Sequence, residues 1–436
     1  MDTVLQDSLP WPAWRKIAFR FFFIYIAFQI APWTWLDAIP GVDYLTGFYY
    51  RFMDWMVRSA NAGIFHVREV LIEPNGSGDT SWAWAQTWLL LCLSAAGSII
   101  WTAVDRKRLN YTHLNYWLCL FTRYYIAMVS FSYGIIKLFA LQMLFPNLSQ
   151  LATPLGDFLP MRLSWMFIGY STPYQVFSGI METTVGILLL YRRTATFGIL
   201  MGTAVFLNVM MLNLTYDIPV KLYSMHIVLL CVFLAVNEWN RISCFFLFNR
   251  EAPACTIYYY YPFKKKWMKT GRVILKISFL VLTAGLTFYR SIGYYKDSFP
   301  PEVKQDIRQG IYNVALYSIN KDTIPVSLTD SIRWQDLIFD KANLGSIKTS
   351  DTAYRQRYKR AYFYYTIDSA KHTLAFRKFP GDSLAIASFV YEQPDSRTVY
   401  LRGKQKNDSL HIILTRSDRH FQLAEKQFHW LSEANR

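Results

Sequence analysis

The sequence predicts a membrane all-α bundle of about seven transmembrane helices followed by a β-rich soluble domain. The 436 residues are 53% hydrophobic and only 17% charged, whereas soluble domains carry about 25% charged residues. Long apolar stretches fill the chain up to about residue 292. Beyond that point the charge density rises and short alternating patterns begin. We therefore expect a membrane domain over 1–295 and a soluble domain over 300–436.

Seven stretches have the roughly 20 mainly apolar residues that a membrane-crossing helix needs. They cover 17–36, 83–104, 114–140, 174–191, 195–213, 222–237 and 273–291. Arg15 and Lys16 precede the first stretch, as in a secretory signal. However, Trp33 and Trp35 follow it where a cleavage site of small residues would stand. We expect a retained anchor whose tryptophans lie at the membrane interface.

Basic residues lie in every second connection between these stretches, and their positions predict the orientation of the protein in the membrane. Arg106, Lys107 and Arg108 join the second and third stretches, and Arg192 and Arg193 join the fourth and fifth. Such residues stay on the cytoplasmic side. The sequence thus predicts an inner-membrane protein with a cytoplasmic N-terminus and a periplasmic C-terminal domain. The same residues account for much of the net charge of +16, so the expected partner is the lipid bilayer and not nucleic acid.

The loop between the first two stretches has patterns of its own. In residues 43–72 apolar side chains recur at steps of three and four, which predicts an amphipathic helix on the membrane surface. A tight turn follows, and we expect Asp79 or Thr80 to cap the second membrane helix.

The C-terminal domain alternates aromatic and β-branched residues with polar ones. Strands are predicted at 311–319, 361–367, 372–377, 385–391, 398–402 and 409–415. Short strands at this spacing are typical of an antiparallel barrel or sandwich.

Several ionisable residues lie in or beside the predicted spans, where a charge is costly unless it has a partner. In the predicted topology these residues form a polar cluster in the outer half of the membrane; they are Lys137, Glu182, Asp217, Lys221 and His226, with Tyr133 one turn before Lys137. Two interpretations stay open. The charges form structural pairs that hold and orient helices, or they form a ligand site. No residue spacing typical of zinc, haem or iron–sulfur ligands is present, so no metal site is predicted.

Five motifs follow one another in the membrane part. They are GSGDT at 76–80, YGIIK at 133–137, Gly179 with Glu182, RRT at 192–194 and YDIPVK at 216–221. This series resembles the DoxX family of bacterial membrane proteins, in the longer form found among Bacteroidota, with a core at about 114–237.

One branch of that family includes the membrane subunit of a thiosulfate:quinone oxidoreductase, so the resemblance implies quinone chemistry. Lys137 would hydrogen-bond a quinone during its reduction, and Glu182 or His226 would move its protons. Tyr133 and Trp165 would form aromatic walls. Asp217 and Lys221 belong to the same binding cluster.

The chain has no redox centre of its own, so this interpretation implies a redox partner that delivers electrons. The alternative is a non-catalytic envelope membrane protein whose β-domain docks a partner.

Overall fold

The computed structural model describes residues 10–252, 265–299, 305–326, 332–425, 429–431 and 433. The chain divides into two compact units. The helical unit contains Met1–Leu144 and Phe167–Tyr295, and the barrel unit contains Phe145–Met166 and Lys296–Arg436. The sequence predicts a domain boundary near residue 295 and a loop of the membrane part at 145–166, whereas the structure has 145–166 in the barrel unit. Pro300, at the predicted start of the soluble domain, lies outside the described residues.

The helices follow the predicted apolar stretches closely. In chain order they are α1 (Ala13–Ile30), α2 (Asp43–Ala60), α3 (Ser81–Val104), α4 (Thr112–Leu138), α5 (Leu148–Leu151), α6 (Pro160–Tyr170), α7 (Thr172–Leu190), α8 (Ala195–Thr215), α9 (Lys221–Asn237), α10 (Trp239–Phe246), α11 (Lys266–Leu280), α12 (Leu286–Ser298) and α13 (Gln422–Glu425). A π-helical turn, Val281–Gly285, connects α11 to α12.

Fewer helices than the predicted seven are long and apolar enough to cross a membrane. Among the described residues, five helical segments are long and apolar enough to cross a membrane: Ala13–Ala38, Ser81–Val104, Thr112–Leu138, Ala195–Thr215 and Lys266–Ser298. The pair α9 and α10, bent by 75°, makes a sixth if it is one span. The segment missing from this set is α7. Its first turn is polar and Glu182 interrupts its apolar run, which lowers its mean hydropathy.

Helix α2 is amphipathic, as predicted, but it ends earlier than the predicted residue 72. A π-helical turn, Asn61–Phe65, follows it, and residues 66–80 are irregular. One face buries Met53 and Val57, whereas Tyr44 and Leu45 are about four-fifths exposed. Thr80 caps α3, because its Oγ1 accepts a hydrogen bond of 3.4 Å from the Ala83 N–H.

The barrel unit is an antiparallel β-barrel, which decides between the predicted barrel and sandwich. Its strands are β1 (Gly310–Ile319), β2 (Asp322–Thr323), β3 (Asp336–Phe339), β4 (Leu344–Ile347), β5 (Arg355–Arg357), β6 (Arg360–Asp368), β7 (Thr373–Arg377), β8 (Ala387–Glu392), β9 (Thr398–Gln405) and β10 (Asp408–Arg416). Eight strands close the ring in the order β1-β3-β4-β6-β7-β8-β9-β10, and β10 pairs with β1. The short strands β2 and β5 pair with β1 and β6 beside this ring.

Aromatic side chains fill the inside of the barrel. The buried set includes Tyr312, Tyr317, Trp334, Phe339, Phe363, Phe376, Phe389 and Tyr391. The rings of Phe363 and Phe376 stack with centroids 4.1 Å apart. An eight-stranded barrel is just wide enough for its side chains to fill it. This interior is therefore a packed core, and the outer surface is where the barrel can meet other molecules.

Segment 145–166 covers part of the outer barrel surface. Ile311 and Ile338 are paired across β1 and β3, outside the main core, and they pack with Ala152 and Leu148 in a second apolar cluster. A barrel without this segment would expose Ile311 and Ile338 as an apolar surface.

A buried polar network lies beside this cluster. The Asp340 carboxylate accepts hydrogen bonds from the Leu148 N–H at 2.8 Å, from the Ser149 N–H at 3.1 Å and from the Ser149 hydroxyl. The Ser346 hydroxyl donates to Ser149 Oγ at 2.7 Å. Arg360 donates to Ser346 Oγ at 2.9 Å and forms an ion pair with Asp336. These contacts fasten the segment because the buried Asp340 carboxylate accepts these hydrogen bonds from Leu148 and Ser149 only while the segment is in place.

Asp340 makes the stability of the barrel unit depend on pH. Burial raises the pKa of Asp340, although hydrogen bonds from Ser149 oppose this shift. Between the unfolded pKa of about 3.9 and the higher folded pKa, the native state binds more protons than the unfolded state. The contribution of Asp340 to the free energy of unfolding therefore falls as the pH rises through this range.

The variant Asp340→Asn tests this dependence. We expect the wild-type protein to lose more stability than Asp340→Asn when the pH is raised from 4.5 to 7, because the amide at position 340 in the variant does not titrate. Pulse proteolysis at increasing urea concentrations measures the unfolding of the barrel unit for both proteins at both pH values. Identical pH dependence in the two proteins would contradict the assignment.

Candidate functional site

Glycines bring α4 and α7 into close contact. A Cβ added to Gly134 would lie 2.5 Å from Thr183 Oγ1, and one added to Gly179 would lie 2.7 Å from the Gly134 carbonyl oxygen. A Cβ added to Gly186 would lie 2.8 Å from the Phe131 ring. Small residues are typical of helix contacts in membranes because they let the two backbones approach each other.

Lys137 and Glu182 form an ion pair inside this contact. Each follows a glycine by three residues, so Gly134 and Lys137 share a face of α4, and Gly179 and Glu182 share a face of α7. The Lys137 ammonium donates to Glu182 Oε1, and the two side chains are only 7% and 1% exposed. The predicted pairing of these two residues is present in the structure.

Half of the Glu182 carboxylate is left without a partner. The Oε2 atom is buried, and no described residue donates a hydrogen bond to it. The same holds among described residues for the hydroxyl of the next residue, Thr183. Buried polar atoms usually have partners, so these two atoms are where a hydrogen-bonding molecule would be stabilised.

The end of α4 is tied to α7 by a second polar contact. Gln175 Oε1 accepts a hydrogen bond of 2.8 Å from the Met143 N–H, and Gln175 Nε2 donates one of 2.8 Å to the Met143 carbonyl oxygen. Gln175 is almost fully buried. This contact fixes the polypeptide just after Lys137.

Lys221 lies between two carboxylates. Its ammonium is 2.7 Å from Asp217 Oδ1 and 3.5 Å from Asp79 Oδ2. Asp217 is 77% exposed and has a left-handed backbone with φ of 50°. The predicted Asp217–Lys221 pair is therefore present, but the structure adds Asp79 as a second partner.

Asp79 caps α9, a role that sequence analysis does not assign to it. Its carboxylate accepts hydrogen bonds of 2.9 Å from the backbone N–H groups of both Lys221 and Leu222. The Gly78 N–H also donates to the Pro219 carbonyl oxygen at 2.7 Å. Two of the motifs quoted above, GSGDT and YDIPVK, thus meet at the start of α9.

His226 is bound to α1 and not to Glu182. Its Nδ1 lies 2.7 Å from the Leu222 carbonyl oxygen, which can only accept, so Nδ1 carries the proton. Its Nε2 therefore accepts from the Tyr25 hydroxyl at 2.5 Å. Both nitrogens of the neutral ring are used, which is the arrangement of a hydrogen-bonded packing residue. Tyr25 had no signal in the sequence beyond being one of many aromatic residues in α1.

The two aromatic residues of the predicted site fall in different units. Tyr133 lies on α4, half-buried, with its ring centroid 6.1 Å from that of Tyr223 on α9. Trp165 lies on α6 in the barrel unit, where the Arg162 guanidinium carbon is 5.8 Å from its ring centroid. Within the helical unit, bonds between side chains join Lys137 with Glu182, Lys221 with Asp217, and His226 with Tyr25, which was not predicted.

Among the described residues, no group of three or more His, Cys, Asp or Glu side chains is arranged to hold a metal ion.

Comparisons with known proteins give one short similarity. No family model matches the sequence. A stretch of 72 residues is 33% identical to the "Uncharacterized protein YwoB" of Bacillus subtilis (strain 168). The stretch is 16% of this chain and 47% of that protein, so the chain spans about half the length of the curated relative that it matches. No solved structure matches. The DoxX resemblance therefore remains a prediction.

The glycine contact leads to a stability prediction. Gly179→Ala would place a methyl group 2.7 Å from the Gly134 carbonyl oxygen and 2.8 Å from the Leu138 nitrogen, both backbone atoms. We expect a loss of about 1–3 kcal/mol, as for other overpacked sites, together with separation of Lys137 from Glu182. Thermal unfolding in detergent measures the loss.

Gly271→Ala is the matched control, since Gly271 is also helical and a Cβ there would meet nothing within 4 Å. We expect it to be neutral or slightly stabilising. Equal stability of both variants would show that the α4–α7 contact is not as tight as described.

Proposed function

We propose that the chain is an integral inner-membrane protein with DoxX-like architecture, whose helical unit crosses the membrane seven times and holds the barrel unit in the periplasm. In this proposal the protein is a non-catalytic envelope component, and the outer surface of the barrel docks a partner. The buried charges of the helical unit then serve to hold its helices together.

The barrel unit is built from two separate segments of the chain, and this supports seven crossings. Because 145–166 and 296–436 belong to one compact unit, both segments lie on one side of the membrane. The chain between them must then cross an even number of times. In this proposal the bent α9–α10 pair is one span, which makes three crossings with α8 and the segment Lys266–Ser298, and α7 then supplies the fourth. Three earlier crossings, α1, α3 and α4, bring the number to seven.

The pairing of charges in α7 supports its place in the membrane. Glu182 lowers the apolar character of α7, but Lys137 neutralises it inside a protein contact. Charged residues within membrane helices usually face the bundle interior and pair in this way. The basic residues Arg106 and Arg192 then fall on the same side, as the positive-inside rule requires.

Reporter fusions test the crossing by α7. A reporter that is active only in the periplasm, fused after Arg193, should be inactive, whereas the same reporter fused after Thr215 should be active. A fusion after Arg108 serves as the cytoplasmic control. An active fusion after Arg193 would mean that α7 does not cross.

The observation that carries the non-catalytic interpretation is that Lys137, Lys221 and His226 each bond to groups of the protein itself, although Glu182 keeps one oxygen without a partner among the described residues. Lys137 bonds to Glu182, Lys221 lies between Asp217 and Asp79, and both nitrogens of His226 are used. A general acid or base needs access to a substrate proton. Among the described residues, the barrel interior is filled by packed side chains.

A set of three variants tests the structural role of the ion pair. Lys137→Met or Glu182→Leu alone leaves a buried charge without its partner, which typically costs about 3–5 kcal/mol. The double variant removes both charges, and we expect it to recover most of the lost stability in thermal unfolding. A double variant as unstable as either single one would contradict a purely structural pair.

A second candidate function is binding of a quinone or a similar lipid. The unpartnered Glu182 Oε2 and Thr183 hydroxyl support it, because a quinol hydroxyl would donate to the former. Short-chain ubiquinone and menaquinone analogues are the probes. In this interpretation they raise the thermal stability of the wild-type protein but not that of the folded double variant. No stabilisation of either protein leaves the non-catalytic proposal in place.

A further inference from the structure

A row of apolar side chains lies exposed along α6 and the turn before it. Leu155, Leu159 and Leu163 are 69%, 65% and 41% exposed. Leu163 lies on α6, and Leu159 immediately precedes the helix, where its carbonyl oxygen accepts hydrogen bonds from the Arg162 and Leu163 N–H groups. Ser164 lies on another face and is buried. A continuous apolar row of this kind marks a surface that contacts lipid or protein.

A basic hairpin packs against the same segment within the barrel unit. The Lys359 ammonium is 2.6 Å from Asp157 Oδ1, and Arg162 Nε donates to the Tyr358 hydroxyl at 3.0 Å. The Tyr358 ring also packs against Phe158, with centroids 5.0 Å apart. These contacts fix the β5–β6 hairpin beside the leucine row.

The exposed side chains of this hairpin are mostly cationic. Arg355 and Arg357 are exposed, and the Lys359 side chain is 80% exposed. The Arg357 guanidinium carbon is 4.9 Å from the Tyr358 ring centroid, which holds that side chain beside the hairpin turn. Asp157 is the acidic partner of this group and neutralises one of its charges.

We propose that this edge of the barrel unit binds the surface of an anionic phospholipid bilayer. Leu155, Leu159 and Leu163 enter the boundary between headgroups and acyl chains, and the cations of the hairpin bind lipid phosphates. An apolar face bordered by Arg and Lys is the usual arrangement of an interfacial helix. Clustered basic residues are attracted to anionic headgroups in the same way.

The course of the chain favours a membrane as the occupant. Only Ser171 separates α6 from α7, which we propose to enter the membrane, and α4 precedes the segment. The leucine row therefore lies in a segment whose two ends lead into crossing helices. The inference rests on the proposed topology, and spin labelling gives different results if the lipid contact is absent and if the topology is wrong.

Depth-sensitive spin labelling of the full chain tests this contact. All five native cysteines are replaced, and single cysteines are introduced as Leu159→Cys, Leu163→Cys and, as the control, Leu384→Cys. Leu384 is 83% exposed and belongs to the same unit but not to the row. The proteins are reconstituted in vesicles of phosphatidylcholine with one-fifth phosphatidylglycerol, or of phosphatidylcholine alone.

We expect labels at 159 and 163 to be relaxed by oxygen and shielded from a water-soluble nickel complex, and the label at 384 to show the reverse. Replacing Arg357 and Lys359 by Glu should make the label at 159 shallower in anionic vesicles only. Glu replacements of Lys371 and Lys406, exposed cations in other hairpins, are the matched control and should not change the depth.

Several results would overturn the inference. A label at 159 as accessible to nickel as the label at 384 excludes contact with lipid. A label shielded from both reagents, in vesicles and in detergent, indicates that protein covers the row. Unchanged depth after the charge reversal at Arg357 and Lys359 excludes phosphate binding by the hairpin. Labelling at 159 from the cytoplasmic side would instead contradict the proposed topology.

Discussion

A charge buried in an apolar helical bundle must be neutralised where it lies, and this requirement shapes the contact between α4 and α7. Lys137 and Glu182 meet only because Gly134 and Gly179 allow the two backbones to touch. Glycine at these positions is costly for an isolated helix. In the membrane that cost is offset by close packing, and the same spacing of three residues places the ion pair inside the contact.

A buried carboxylate in the barrel unit also needs partners, but there they are hydrogen-bond donors and not a lysine. Asp340 is buried on the outer side of the barrel, and its carboxylate is satisfied by Leu148 and Ser149 from a distant part of the chain. Neither partner is near Asp340 in sequence. The barrel and segment 145–166 are therefore interdependent, and a truncated protein that keeps only residues 296–436 would leave Ile311 and Ile338 without the segment that covers them.

Local sequence patterns predict the helices and six of the strands, because apolar residues on the buried face of an element recur at a fixed spacing along the sequence. They were not sufficient for β3 and β4, which are four residues long and too short to establish alternation. In the candidate site, too, some contacts can be predicted from the sequence and others cannot. The pairing of Lys137 with Glu182 follows from the cost of buried charge, but the cap formed by Asp79 joins residues 142 positions apart, which no local pattern encodes.

The inserted segment also affects the order of assembly. In the proposed topology, 145–166 reaches the periplasm after the third crossing, while the strands follow only after the seventh. Asp340 and Ser149 are 191 residues apart, and contacts of high sequence separation form slowly because the loop must close first. Leu148 and Ala152, which pack against Ile311 and Ile338, thus stay uncovered until the strands of those two residues have been exported. Membrane binding by the row would keep that segment from associating with other chains during this interval, since aggregation arises from transiently exposed apolar surface.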